Sequence, residues 1–599
     1  MRTLRSRRAR LILGATVLPV SLMVAVIAAS GEATTTSAVA SLLRAANPGP
    51  SANGPIVARV TGAVIPATAG WISITPSEAA PTPIPSESQQ IKVLAGVLKR
   101  MKKHYAEWAQ DTPGPQDIYD YGIGNLWLKG IDGAGTTVAV IEGWNDPKIA
   151  QVVAQFDKPF GLPNPQITTI YPTGPLPSTC PAGMKALGSY GSCHAWQGEL
   201  ALDVISVHLI APYAKIVISA TPADSQVTDD AASQVAPPEM MRALEYISSK
   251  HLADVISISD GTGETTYSYG DAEIRAQDAG ELAAAAAGIP VDVATGDCGV
   301  VQNLAVANGQ CEDVSATPDT AAWDDSPWIT AVGGSIPNVS TQNGAKLGPD
   351  PVWHVAPPDA MFSEGAGFSS VFKRPVWQNG VASITGSHMR AVPDITMDAQ
   401  DGTSEAAPLF SGVLALATQV NDGVVGPINP VLYDDLGPAG AKDGIADVVN
   451  GNDSAEMGNG TVTVPGFTAG SGYDVASGWG TVSAPSFVAA LVAATKADHQ
   501  DRAIRASAQK QLSALETSIK ISVPDVSPTG VSYMFANNFL PGHPIDLLVD
   551  GTQVATLTAN SLGAVTYMIS PAVLGLSAGQ HTIELQSLLL NETASFEVS

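Results

Sequence analysis

Thr136-Thr137-Val138-Ala139-Val140-Ile141 is a continuous run of β-branched and apolar residues. Its lack of polar alternation suits a strand buried on both faces rather than one half-exposed in an antiparallel sheet. Lys215 to Ala220, Val255 to Ser259 and Pro290 to Ala294 repeat the pattern, each separated from the last by a helix-length interval. That alternation predicts a parallel sheet covered by helices on both faces, within a segment running from about residue 116 to 494. On the N-terminal side, Ala45 to Ser88 is rich in Pro, Ser, Thr, Ala and Gly and reads as a linker. A helix is predicted around Gln89 to Gln110, with Lys99, Arg100, Lys102 and Lys103 read as a solvated face. On the C-terminal side, residues 495–517 read as a helical connector. Residues 518–599 then change to short alternating runs such as Ile545-Asp546-Leu547-Leu548-Val549, an Asp550-Gly551 turn, and Val554 to Leu557. They predict a small all-β sandwich, Ig-like, of about seven strands.

The 599 residues include 56 acidic and 30 basic side chains, a net charge of −26, with 45% hydrophobic and only 14% charged residues. Such a chain can bury a large core, and its acidity disfavours nucleic acid or an anionic membrane face as main partner. Arg2, Arg5, Arg7, Arg8 and Arg10 precede an apolar run from Leu11 to Ala29, followed by Ser30 and Gly31. This is the pattern of a signal peptide over 1–30, so the protein is expected to be secreted, with cell-surface association if the segment stays uncleaved as an anchor. Loss of those five arginines, with no acid among the thirty residues, takes the net charge from −26 to −31. Cys180 lies close to Cys193 and Cys298 close to Cys311, which predicts two local disulfides and fits export. No cysteine spacing suits a zinc site.

Three short segments carry chemistry. Gly402-Thr403-Ser404-Glu405-Ala406-Ala407-Pro408 precedes the apolar run Leu409 to Ala417. A serine there presents its hydroxyl at the positive end of a buried helix, either as an N-cap or as a nucleophile. Glu199 and Asp203 are four apart in an otherwise apolar helical stretch, so they share one face about a turn apart. A carboxyl pair of that kind titrates as a coupled unit and serves as a general base at acid pH, where histidine is protonated. Asp297, in Ala294-Thr295-Gly296-Asp297-Cys298-Gly299, follows a predicted strand. It is a turn residue, or a carboxylic acid kept protonated to donate to a developing oxyanion.

In this order the three segments resemble the sedolisin family of serine-carboxyl peptidases. Tyr121-Gly122-Ile123, Ser326 to Gly334, Gly367-Phe368-Ser369, Val392-Pro393-Asp394-Ile395 and Asn429-Pro430-Val431-Leu432-Tyr433 extend the resemblance over about Gln116 to Ala493. The resemblance implies a subtilisin-like parallel α/β fold and endopeptidase activity on proteins or peptides at acid pH. Ser404 would be the nucleophile, Glu199 the general base, Asp203 the group that orients and tunes Glu199, and Asp297 the oxyanion partner. Glu142, at a strand end, would extend the proton network. The resemblance also implies one calcium ion held by the Asp447 and Asp474 carboxylates and the carbonyls of Val448, Gly470 and Gly472, a hard-oxygen set of the kind calcium takes. A monomer is expected.

Three features depart from the family pattern. Asp394 reaches Gly402 through only Ile395 to Asp401, where relatives carry a β-hairpin. Asp260 stands where relatives often have a large aromatic residue. Residues 31–115 form a linker and one helix in place of a sizeable folded propeptide. The short connection suits a second reading, an inactive sedolisin-like protein that binds partners or the cell wall through its C-terminal sandwich. A subtilisin-type Ser/His/Asp site is disfavoured, because none of the nine histidines, His194 and His208 included, has the context that family needs.

Overall fold

Seven runs, six of them largely buried and the edge strand Gln166–Ile170 partly exposed, pair edge to edge into one parallel sheet. They are β1 (Thr137–Glu142), β2 (Gln166–Ile170), β3 (Lys215–Ala220), β4 (Val255–Ile258), β5 (Val291–Ala294), β6 (Thr330–Ser335) and β7 (Ile395–Asp398). Their spatial order is β7-β6-β5-β4-β1-β3-β2, and every pairing is parallel. The sheet grows one way from β1 through β3 to β2 and the other way from β4 to β7. A crevice therefore opens at the carboxyl ends beside β1, where α/β sheets bind their ligands. The computed structural model describes residues 84–599 apart from 110–111, 181–191, 222–237, 268, 303–310, 312–316, 356–361, 458–461, 498–499, 516–519, 522–524 and 590. The expected signal peptide over 1–30 and the expected linker as far as residue 83 lie outside the described residues.

Helices cover the sheet: α1 (Glu87–Trp108), α2 (Pro115–Asp120), α3 (Ile149–Phe160), α4 (Cys193–Ile210), α5 (Pro238–Lys250), α6 (Asp271–Ala287), α7 (Thr403–Asn421), α8 (Ala484–Ala497) and α9 (Gln500–Leu515). Both α4 and α7 are apolar nearly all round, as a helix buried on every side must be. They cross closely, and a Cβ on Gly412 would lie 2.6 Å from that of Ile210, so only glycine fits. The predicted helix near 89–110 is α1, whose Leu94, Val97 and Met101 join the main core. Lys99, Lys102 and Lys103 are solvated as expected. Arg100 is exposed with them and also makes a contact. Its guanidinium donates to the carbonyls of Phe160 (2.6 Å) and Gly161 (3.2 Å), closing the end of α3.

The Pro-Asp-Ile and Asn-Pro-Val-Leu-Tyr stretches meet at one buried node. Asp394 accepts from Arg390 through both oxygens (2.7 and 2.5 Å), from the Ala331 amide (2.9 Å), from Asn429 Nδ2 (3.1 Å) and from Tyr433 Oη (2.7 Å). Gln378 Nε2 donates to Tyr433 Oη (3.0 Å) and to the Ala391 carbonyl (2.7 Å). A buried ion pair stands only when its remaining hydrogen-bonding capacity is met, and here the Asp394 side is fully engaged.

Beyond the sheet, α9 lays Ala508 against Leu282 and Ala285 of α6. Two small sheets then enclose their own core of Met534, Ile545, Leu547, Ile569, Ile583 and Leu585. One has three strands (Lys520–Ile521, Ser532–Ala536, Val565–Ile569). The other has five (Asp525–Val526, Pro544–Val549, Thr552–Thr558, Gly579–Gln586, Asn591–Val598). The described strands are thus eight, one more than the reading of about seven, because Asp525–Val526 adds a short parallel edge that periodicity alone cannot show. The Asp550-Gly551 turn joins its two strands with φ of 50° and 75°, as a two-residue hairpin turn demands.

Candidate active site

The carboxyl edge of the sheet gathers acids from separate strands. Glu142 ends β1, Asp260 lies just past β4, and Asp297 just past β5. Facing them, α4 contributes Glu199 and Asp203, and α7 contributes Ser404 in its first turn. Two disulfides fix the approaches: Cys180–Cys193 at the start of α4 and Cys298–Cys311 beside Asp297.

The turn into α7 is built around Asp297. Gly402 has φ of 95°, and a Cβ there would lie 2.9 Å from Asp297 Oδ2, so the position demands glycine on both counts. Thr403 donates its amide (2.9 Å) and its hydroxyl (3.0 Å) to Asp297 Oδ1, and accepts from the Gly296 amide (3.0 Å). The carbonyl of Ser404 would bond the amide of residue 408 in a regular helix, but Pro408 has none. Ser259 Oγ donates to that carbonyl instead, at 3.2 Å.

The Ser404 side chain lies beside Glu199 and favours its ionised form. Both are half-buried, as are Asp260 and Asp297, whereas Asp203 and Glu142 lie fully buried behind them. The layering sets the charges. Burial pushes Glu199 up to about 7, against the Ser404 hydrogen bond, with further upward pressure from the Asp297 charge. Asp203 is held well above the carboxylate range by burial and then by the Glu199 charge. Glu142 is raised the same way, by burial and then by Asp203 and Glu199. Glu142 and Asp203 lie against each other, with Ser259 also beside Asp203, and both are raised so far by burial that a proton held between them relieves their repulsion. Asp297 is also raised by burial, although the Thr403 bonds oppose it. Asp260 is raised by burial and feels the Glu199 charge.

The structure therefore brings together Glu199, Asp203, Asp297, Ser404 and Glu142. Ser259 and Asp260, adjacent at the end of β4, join them although no sequence motif singled either out as part of a site. Their signal was the strand end alone. The buried His208 bonds Asp157 on α3 at 3.0 Å, and His194 bonds Gln197, so neither serves Ser404.

The expected calcium residues form a second cluster. Gly472 N donates to Asp447 Oδ2 (2.9 Å), Gly470 N to Asp474 Oδ2 (2.7 Å), and Ser477 Oγ to Asp474 Oδ1 (2.9 Å). Asp447 Oδ1 is buried without a partner, and burial raises Asp474 to about 6, with the Asp447 charge adding to it. Two adjacent carboxylates, one with an orphaned oxygen, fit a hard cation. A separate acidic trio, Asp117, Asp398 and Glu405, could also hold a metal ion. Sequence gave no hint of it, since its members are far apart in the chain.

Kumamolisin of Bacillus sp. (strain MN-32) is 27% identical over 332 residues, 51% of this chain and 52% of that protein. Sedolisin of Pseudomonas sp. (strain 101) is 28% identical over 372 residues, 58% of this chain and 56% of that protein. Tripeptidyl-peptidase 1 of Canis lupus familiaris is 28% identical over 269 residues, 38% and 43% respectively. A solved structure of Pseudomonas sedolisin, a serine-carboxyl proteinase complexed with two molecules of pseudo-iodotyrostatin, matches with a TM-score of 0.50 at 25% identity. That match covers 62% of this chain and 96% of the other. No family model matches the chain. The chain spans about half the length of the first curated relatives it matches. These similarities support the sedolisin family and its subtilisin-like α/β fold for this chain.

Proposed function

We propose that the chain is an exported serine-carboxyl endopeptidase that cleaves proteins or peptides in the acid range. The observation that carries this reading is Ser404 set beside a raised Glu199, with Asp297 bonded to the adjacent Thr403. Tripeptidyl-peptidase 1 is a peptidase by name and Pseudomonas sedolisin a serine-carboxyl proteinase by description, which supports the same class.

In this mechanism Glu199 takes the Ser404 proton as Oγ attacks the substrate carbonyl carbon. The carbonyl oxygen becomes an oxyanion and accepts a hydrogen bond from protonated Asp297. Because Asp297 Oδ1 already accepts from Thr403, its proton belongs on Oδ2. Collapse of the intermediate breaks the C–N bond as Glu199 returns the proton to the leaving amine. Water then repeats the cycle on the acyl-enzyme. Asp203, through its shared proton with Glu142, keeps a second negative charge away from Glu199.

Catalysis needs Glu199 ionised while Asp297 is protonated. Their charges interact, so the pair titrates with two macroscopic steps and gives a bell-shaped profile between them. Glu199 loses its base form as pH falls through about 7, and Asp297, raised by burial, loses its proton as pH rises, so these two steps bound the profile. Asp447 and Asp474, with the carbonyls of Val448, Gly470 and Gly472, would hold one calcium ion, which ties two loops together and supplies no reaction step. Export is supported by the two disulfides, and no described helix is long and apolar enough to cross a membrane. The testing experiment is hydrolysis of an unfolded protein from about pH 3 to 8, a window spanning the carboxylate and histidine ranges. Wild type should act only on the acid side and Ser404→Ala not at all. Folded wild-type protein without cleavage at any pH would favour the binding-protein reading instead.

A further inference from the structure

Asp117 of α2, Asp398 at the end of β7 and Glu405 of α7 bring carboxyl oxygens within 4.8 Å of one another, and all three residues are fully buried. Every donor given to them leaves lone pairs open. Gly114 N reaches Asp117 Oδ2 (2.8 Å), Gln116 Nε2 and Gln400 Nε2 reach Asp398 Oδ2 (2.9 and 3.2 Å), Gln400 N reaches Asp398 Oδ1 (3.1 Å), and Asp401 N reaches Glu405 Oε2 (3.0 Å). Asp117 Oδ1 and Glu405 Oε1 are buried with no partner at all.

Positive charge is missing around the trio. Asp120 and Asp401 add two more acids, and the nearby Lys346 is engaged by Asp120 and Asp350 at 2.6 Å each. Among the described residues no ion pair reaches Asp117, Asp398 or Glu405. Three carboxylates can offer up to six oxygens, close enough together for one divalent ion to bridge them.

We propose that Asp117, Asp398 and Glu405 form a divalent cation site, distinct from the Asp447–Asp474 loops, that fastens α2 and the Asp398–Asp401 turn to the first turn of the helix bearing Ser404. Glu405 follows Ser404 directly, so the ion would brace the nucleophile's helix where the connection from β7 is shortest.

The test counts bound calcium on the full chain by equilibrium dialysis at pH 7, comparing wild type, Glu405→Gln and Asp117→Asn. Each variant keeps side-chain volume while withdrawing one carboxylate, and the second stands in if the first does not fold. One ion fewer per chain than wild type is expected, whether or not the Asp447–Asp474 loops hold an ion of their own. Asp474→Ala should retain the trio's ion. An unchanged count in a folded trio variant, or no ion retained by Asp474→Ala, would overturn the site and leave the three carboxyls neutralised by protons alone.

Discussion

Pro408 shapes the surroundings of Ser404 from four residues away. By lacking an amide it frees the Ser404 carbonyl, and the Ser259 hydroxyl fills the gap at 3.2 Å. Ser259→Ala should leave that carbonyl unbonded and cost about 1–3 kcal/mol in urea unfolding, the range for an orphaned buried acceptor. The proposed chemistry predicts larger effects on rate. Glu199→Gln keeps the shape but cannot take a proton, so kcat should fall by roughly 100-fold or more with little change in melting temperature. Asp297→Ala removes an oxyanion donor and should lower kcat by about 100- to 1,000-fold, read from steady-state hydrolysis. A rate unaffected by either change would contradict the assigned roles.

At the scale of elements, legibility depended on whether a residue's partners lie on its own element. Four of the seven strands, β1, β3, β4 and β5, were readable because runs such as Val138 to Ile141 or Ile216 to Ile218 are apolar without interruption. Glu199 and Asp203 were readable as a pair because a helix fixes residues four apart. Asp297 and Ser404 were readable because a strand end and a helix start announce themselves. What stayed hidden lies between elements. Nothing in the spacing of 117, 398 and 405 foretells their meeting, and Arg100 closing α3 reads in sequence as one more surface cation. The Arg390–Asp394 node is of the same kind, since Ala331, Asn429 and Tyr433 reach it from three other segments. Arg390→Ala would strand a buried carboxylate and should cost roughly 3–5 kcal/mol, measured by chemical denaturation. The shortened β7-to-α7 connection is compatible with this packing, because Thr403 still binds Asp297.

For the whole molecule the acid excess becomes a statement about medium. Burial raises Asp132 to about 6, Glu199 to about 7, and Asp278 and Asp453 to about 8. A carboxyl whose folded pKa exceeds its unfolded one stabilises the fold fully below the unfolded pKa, near 4, and loses that contribution as pH rises through the folded value. The melting temperature should therefore be highest near pH 4 and fall progressively between about pH 5 and 8, by scanning calorimetry. A maximum at neutral pH would run against these burials. If calcium binds the Asp447–Asp474 loops, chelation at fixed pH should lower the melting temperature, and Asp474→Ala should reduce that shift. The same acid excess means that the net charge shrinks toward zero in an acid medium.

The central claim is that Ser404 attacks the substrate with Glu199 as its base. It is tested most directly by acid-quenching the full chain during turnover of a slowly deacylated peptide ester near pH 4.5 and mapping the acyl group by mass spectrometry. The account predicts an adduct on the peptide containing Ser404, absent in Ser404→Ala and slow to form in Glu199→Gln. Ester turnover with Ser404 unmodified, or an adduct that forms equally fast without Glu199, would contradict it.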